Sequence, residues 1–345
     1  MSLARRLLWP ADPGAFRLWL ALVVVAHHVT RVEIGKAPVL VFFALSGFWV
    51  QKVWRGQYAA TRAPWLTFIV SRWWRIAPLM MLAGLVSAGA MLALGHAEWP
   101  LVAGSAGRQA LSGALVLGYA MLPTRPLGPG WSLDIEMQFY LLAPLLLAVV
   151  RRGHPGLLLA GAVLVAEFGL MAGAGVTLLA FLPWFMAGML AAEHGWKVDE
   201  SAARVSFLGT CALFAVALLS PWRARLLGEF GADYAWFNML LAALILPFAL
   251  YGVRRRGDAA DAALADHSYL VYLAHWPAIL IWRGGDWGGE GARWLALAGL
   301  SALVVLACRA GRRWLDAPMH AARKRWVARR ADFGAKRGDR PALLA

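Results

Sequence analysis

Residues 130–152 read GWSLDIEMQFYLLAPLLLAVVRR, a largely apolar run that is long enough to cross a bilayer as a helix. Ser132, Glu136 and Tyr140 recur at four-residue spacing within this run. Because side chains four residues apart share one face of a helix, these three form a single polar stripe. The segment predicts a membrane span with a polar face and a positively charged end.

Apolar runs of the same kind recur along the whole chain. Of its 345 residues, 61% are hydrophobic and 15% are charged, whereas soluble domains carry about 25% charged residues. This balance excludes a soluble enzyme, a secreted disulfide scaffold and a disordered protein. We predict an all-α polytopic membrane protein with about ten spans, near residues 18–34, 38–54, 76–95, 131–150, 156–173, 176–193, 205–220, 234–252, 267–283 and 292–310.

The positions of the charges predict the topology. The net charge is +15, and the basic residues cluster between and after the apolar runs, as in cytoplasmic loops rather than in a nucleic-acid-binding surface. An eleventh run, 109–123, is short and leads into a string rich in proline and glycine, so we expect it to be re-entrant or interfacial. Both termini are then cytoplasmic, with a transmembrane domain over 1–322 and a basic tail over 323–345.

Ionisable residues inside a span are costly and therefore point to a site. The first span contains His27 and His28, and Arg17 precedes His28 by eleven residues. Eleven steps of about 100° return to within about 20° of the start, so Arg17 and His28 share a helix face while His27 faces elsewhere. The alternative is a structural pair of histidines that bond to neighbouring helices. Glu167 in the fifth span has no obvious partner.

Two later spans place their polar residues on one face. In the fourth span Glu136 lies about as far below the outer surface as His28 does in the first, so the two side chains could meet. In the ninth span Ser268, Tyr272 and His275 lie on one face, just before a proline. A structural ion pair and a histidine packed beside a kink are the alternative interpretations.

Arg72 and Arg75 lie three residues apart where the third span begins. Guanidinium groups at this spacing suit phosphate recognition. They suit lipid headgroups equally well. The residues alone leave the two interpretations open.

In this order, the segments resemble the acyltransferase-3 family of bacterial integral-membrane acyltransferases. The resemblance runs from about Phe16 to Pro318. Near the last span the family often has Glu-x-Pro, whereas this chain has Asp316-Ala-Pro318, which leaves the role of Asp316 open. The matching elements are a basic residue and a histidine separated by ten positions (Arg17, His28), VFFALSGF (41–48), Arg-x-x-Arg-x-x-Pro (72–78), Trp-Ser-Leu-x-x-Glu-x-x-Phe-Tyr (131–140) and Ser-x-x-x-Tyr-x-x-His-x-Pro (268–277).

The resemblance implies an O-acyltransferase in a bacterial plasma membrane. It would move an acyl group, usually acetyl, from cytoplasmic acyl-CoA to a hydroxyl of a glycan or of another envelope or secreted acceptor. His28 would be the general base and Glu136 would orient it. The acyl-CoA would be held by cationic residues, namely Arg17, Arg72 and Arg75. Contacts to the oxyanion or the acceptor would come from hydroxyl and imidazole groups: Ser132, Tyr140, Ser268, Tyr272 and His275.

Other classes and partners also follow from the sequence. A proton-coupled transporter or flippase of a lipid-linked glycan would explain polar residues inside spans, and a scaffold for envelope-assembly enzymes would explain the basic tail. We predict no metal site, no permanently bound cofactor and no nucleic-acid partner. Many members of the acyltransferase-3 family carry a soluble hydrolase-like domain after the spans, and this chain ends without one. A separate periplasmic protein could therefore act as a partner.

Overall fold

The protein is built from α-helices throughout the part described by the computed structural model, which comprises residues 6, 8–30, 32–95, 105–228 and 231–336. Two π-helical turns, Trp54–Tyr58 and Arg312–Asp316, and one 3₁₀ turn, Tyr119–Met121, interrupt the helices. The helices are α1 (Pro13–Val29), α2 (Lys36–Val53), α3 (Pro64–Ala93), α4 (Ser105–Leu115), α5 (Gly130–Arg152), α6 (Pro155–Met171), α7 (Leu178–Glu193), α8 (Glu200–Leu219), α9 (Arg223–Leu227), α10 (Ala232–Gly252), α11 (Ala259–Gly284), α12 (Glu290–Gly311) and α13 (Ala317–Lys336).

Among the described residues, six helical segments are long and apolar enough to cross a membrane. They are Lys36–Tyr58, Pro64–Ala93, Gly130–Arg152, Glu200–Leu219, Asp233–Gly252 and Glu290–Ala331. The all-α membrane architecture is therefore confirmed. Each of the ten predicted runs falls wholly or largely on a helix. Crossing by α1, α6, α7 and α11, and thus the count of ten spans, stays a prediction.

The third membrane helix begins earlier than the apolar run suggests. The apolar run predicts a start at residue 76, but α3 begins at Pro64 and has 30 residues, a length of roughly 45 Å. This exceeds the bilayer core of about 30 Å. Helix α3 is therefore longer than the apolar layer is thick, and Arg72 and Arg75 lie in its N-terminal half.

The run at 109–123 forms a short helix followed by a turn. Helix α4 has 11 residues, roughly 16 Å, and is too short to cross a bilayer core. Asp134 of α5 ties the turn in place by accepting a 2.7 Å hydrogen bond from the Ala120 N–H. Burial raises the pKa of Tyr119 to about 12, so its hydroxyl stays neutral and accepts from the Leu127 N–H at 2.9 Å.

Helices α1 and α11 pack closely, and a buried carboxylate sets their register. Asp261 of α11 accepts hydrogen bonds from the Gly14 and Ala15 N–H groups at 2.9 and 2.8 Å. These amides belong to the first turn of α1, where backbone donors have no partner within the helix. A Cβ on Gly14 would lie 1.9 Å from the Asp261 carbonyl oxygen, so only glycine permits this approach.

Helix α13 packs against the start of α3. Arg330 donates to the Thr67 hydroxyl at 2.9 Å, and its carbonyl accepts from the Arg62 N–H at 3.0 Å. Arg323 is buried beside them, with 8% of its surface exposed. The predicted boundary between residues 322 and 323 thus lies inside a helix that is packed onto the transmembrane helices.

Candidate functional site

A cavity of about 370 Å³ lies between α1, α2, α3, α5, α11 and α13. Eight of the ten predicted site residues line it: Arg17, Arg72, Arg75, Ser132, Glu136, Tyr140, Ser268 and Tyr272. His28 and His275 lie outside its wall. Polar and basic residues that the sequence interpretation did not assign also line it: Ser46, Gln57, Tyr269, His320, Arg323 and Lys324.

Glu136 is the acceptor of a small hydrogen-bond cluster inside the cavity. Its Oε1 accepts from the Ser46 hydroxyl at 2.7 Å and from the Tyr140 hydroxyl. The bond to Tyr140 is the four-residue contact that the polar stripe predicts. Ser46 belongs to the VFFALSGF element, so the sequence held a signal for it without indicating which residue it contacts.

Arg72 is a buried cation, with 6% of its surface exposed. Its guanidinium lies over the rings of Phe68, Tyr58 and Tyr140, at 5.2, 5.6 and 5.6 Å from the ring centroids. Aromatic faces stabilise a cation in such a place. Its Nε has no hydrogen-bond partner among the described residues. The side chain is therefore held in place by rings while a donor remains free for an anion.

Two further arginines face the same space. Arg75 follows one turn after Arg72 and is exposed to the cavity, and Arg17 lies over the indole of Trp49 at 5.7 Å. None of the ion pairs within the described residues includes Arg17, Arg72 or Arg75. Within this part of the chain, the cavity wall holds five Arg or Lys side chains and a single carboxylate.

The hydroxyl groups of Ser132 and Tyr272 join α5 to α11 at 2.7 Å. The Pro129 carbonyl oxygen lies within hydrogen-bond distance of both hydroxyls, at 3.0 and 3.3 Å, and accepts from the one that does not donate to the other hydroxyl. Ser132 lies two helical turns, roughly 12 Å, from Tyr140. Since Tyr140 contacts the start of α3, the Ser132–Tyr272 pair lies towards the cavity end that is farther from α13. Ser268 donates to the Ala265 carbonyl at 2.7 Å.

His28 contacts α11 beyond this pair. Its ring centroid lies 5.4 Å from that of His275 and 5.0 Å from that of Trp276. The His275 Nδ1 lies 3.0 Å from the Val271 carbonyl oxygen. Because a carbonyl only accepts, Nδ1 carries the proton, and the Nε2 lone pair is buried without a partner among the described residues. The Nε2 of His275 is therefore an unprotonated hydrogen-bond acceptor.

His27 has a different environment, as the helical spacing predicts. Its Nδ1 lies 3.2 Å from the Glu33 carboxylate and 3.4 Å from the Val32 carbonyl oxygen. These partners belong to the connection between α1 and α2. His27 thus contacts this connection, whereas His28 contacts α11.

The expected meeting of His28 and Glu136 does not occur in the described structure. Glu136 bonds to Ser46 and Tyr140, and His28 stacks on His275. The two residues lie at comparable depths by sequence, but His28 packs against α11 outside the cavity wall, whereas Glu136 lies inside it. Glu167 lies apart from both, on the exposed surface of α6.

Comparison with known proteins gives one match. A family model described as an acyltransferase domain, acyltransferase-3, matches residues 12–310. No curated protein and no solved structure matches the chain significantly. The match covers most of the chain, including every element from Arg17 to Pro277 that carries the resemblance. The resemblance is confirmed, and the chain belongs to the acyltransferase-3 family of membrane acyltransferases.

Proposed function

We propose that this acyltransferase moves an acyl group, most simply acetyl, from cytoplasmic acyl-CoA to a hydroxyl of a glycan or of another envelope or secreted acceptor. The observation that carries the proposal is the composition of the cavity wall. Among the described residues, five cationic side chains and one carboxylate face a space that leads to a hydroxyl pair. A cavity of this kind suits an elongated molecule with a polyanionic end and a reactive end.

The donor is the polyanion in this proposal. Clustered guanidinium groups repel one another, and the repulsion is strong where water is partly excluded. Phosphate groups relieve it and accept the hydrogen bonds that Arg72 and Arg75 do not use within the described protein. In the proposed bacterial plasma membrane, with both termini cytoplasmic, the end of the cavity near α13 faces the pool of acyl-CoA.

The acceptor hydroxyl loses its proton as its oxygen attacks the thioester carbonyl carbon. The carbon–sulfur bond then breaks, and CoA leaves as the thiol. A neutral histidine suits the proton transfer, and His28 with its neighbour His275 fills this role. Tyr272 and Ser132 lie on the cavity side of the histidines, where a hydroxyl donor stabilises the developing oxyanion.

Thiol release tests the proposal directly. Purified protein in detergent is supplied with acetyl-CoA and with envelope glycan fractions, and free CoA thiol is measured over time. We expect release that depends on the acceptor and an acetyl group that appears on the acceptor. Acceptor-independent or absent release, together with movement of a lipid-linked glycan in proteoliposomes, would instead support the transporter interpretation.

A further inference from the structure

Helix α13 forms the wall at one end of the cavity. His320, Arg323 and Lys324 line the cavity from this helix. Their three- and four-residue spacing places them on one helix face. The family match ends at residue 310, so these three side chains come from a segment outside the matched region.

Helix α13 is held against α3 at a defined position. Arg323 donates to the Ser71 hydroxyl at 2.8 Å, and the Tyr58 hydroxyl lies 2.8 Å from the same oxygen. Ser71 directly precedes Arg72 in the chain. This network therefore fixes α13 beside Arg72 and Arg75 on α3, and the Arg323 side chain is already bonded within it.

Lys324 is left facing the cavity. It is exposed, and no ion pair within the described residues includes it. Gln57, from the π-helical turn that follows α2, lies on the same wall. Such turns are common at functional sites. The only carboxylate of the described wall, Glu136, is engaged with Ser46 and Tyr140.

We infer that α13 is part of the donor site and that Lys324, beside His320, recognises the phosphates of the nucleotide portion of acyl-CoA. This inference rests on the proposed function. The cations of α3 and α13 together form the polyanion end of the cavity, and the pantetheine arm runs from there towards Ser132 and Tyr272. Donor recognition thus depends on a helix that follows the matched domain.

Comparison of two donors tests this inference. Lys324→Gln is compared with Arg325→Gln, which removes the neighbouring exposed charge that does not line the cavity. Initial rates are measured with acetyl-CoA and with acetyl-pantetheine, which has no phosphates. We expect Lys324→Gln to raise the KM for acetyl-CoA about three- to fivefold, the upper range for an exposed ion pair. The KM for acetyl-pantetheine should not change, and Arg325→Gln should match the wild type with both donors.

A measurement of CoA binding tests the inference even if no acceptor for turnover is found. The Kd of CoA should rise in Lys324→Gln by a similar factor, and the difference should shrink at high salt. Equal CoA affinity in Lys324→Gln and wild type would overturn the inference. The inference would also be overturned if Lys324→Gln changed only how the activity depends on anionic lipid in nanodiscs, because Lys324 would then contact lipid headgroups. If wild-type protein binds CoA but releases no thiol, the proposed function fails while the role of α13 as a CoA contact stands.

Discussion

Substitution of Glu136 by glutamine separates a charge effect from packing. Glutamine keeps the shape and one carbonyl acceptor but removes the anion that accepts from Ser46 and Tyr140. A hydrogen bond to a charged group contributes about 1.5–3 kcal/mol and a neutral one about 0.5–1.5 kcal/mol. The change therefore weakens each of two bonds by about 1 kcal/mol. If the bonded geometry is needed in the transition state, a total of about 2 kcal/mol lowers kcat about thirtyfold.

Glu136→Gln should not weaken the binding of acyl-CoA, although it lowers kcat. Glu136 is the one carboxylate on a described wall that also holds five cations, so its removal increases the excess of positive charge. The KM for acyl-CoA should stay unchanged or fall. Kinetics over a range of acyl-CoA concentrations measure both parameters, and Tyr140→Phe, which retains the anion, is the matched control. A kcat within twofold of wild type, with folding intact, would show that the Glu136 anion is not needed for transfer and that the side chain serves packing alone.

Four further substitutions test the donor contacts, the histidine pair and the packing of α1 on α11. Arg75→Ala should raise the KM for acyl-CoA about tenfold or more, since it removes a charged hydrogen-bond donor, while the acceptor KM stays unchanged in the same assay. His28→Ala should abolish transfer with CoA binding retained, whereas His27→Ala should reduce turnover less than about tenfold; the reverse result would contradict their assignment. Asp261→Asn should destabilise the protein by about 1–2 kcal/mol, because two backbone donors of α1 lose a charged acceptor; a lower unfolding temperature in detergent measures this.

Local periodicity explains why much of the cavity could be predicted. Ser132, Glu136 and Tyr140 share a face because they belong to one helix, and the geometry of a helix is independent of its neighbours. The same holds for Ser268 and Tyr272 on α11. In each case the spacing alone predicts that the side chains point in one direction, and the cavity lies in that direction.

Contacts between distant segments could not be predicted in this way. Ser46 was visible in a motif, but nothing in its spacing indicated Glu136 as its partner. Arg323 and Lys324 stand in a basic stretch that resembles a solvated tail, and their place at the cavity depends on how Arg323 meets Ser71. Sequence gives the order of helices along the chain but not their lateral arrangement in the membrane.

Helix α11 contributes side chains both to the cavity and to the contact with His28. Comparable depth suggests that His28 and Glu136 meet, but depth is only one coordinate. His28 packs against His275 outside the cavity wall, and Glu136 bonds to Ser46 and Tyr140 inside it. Tyr272 and His275 are three residues apart and lie side by side on one face of α11, where Tyr272 lines the cavity and His275 stacks on His28. In the proposed reaction the thioester approaches Tyr272 from the cationic end, and the acceptor approaches from the histidine side. Glu136 is the one carboxylate on the described wall, so its loss should change kcat without weakening acyl-CoA binding.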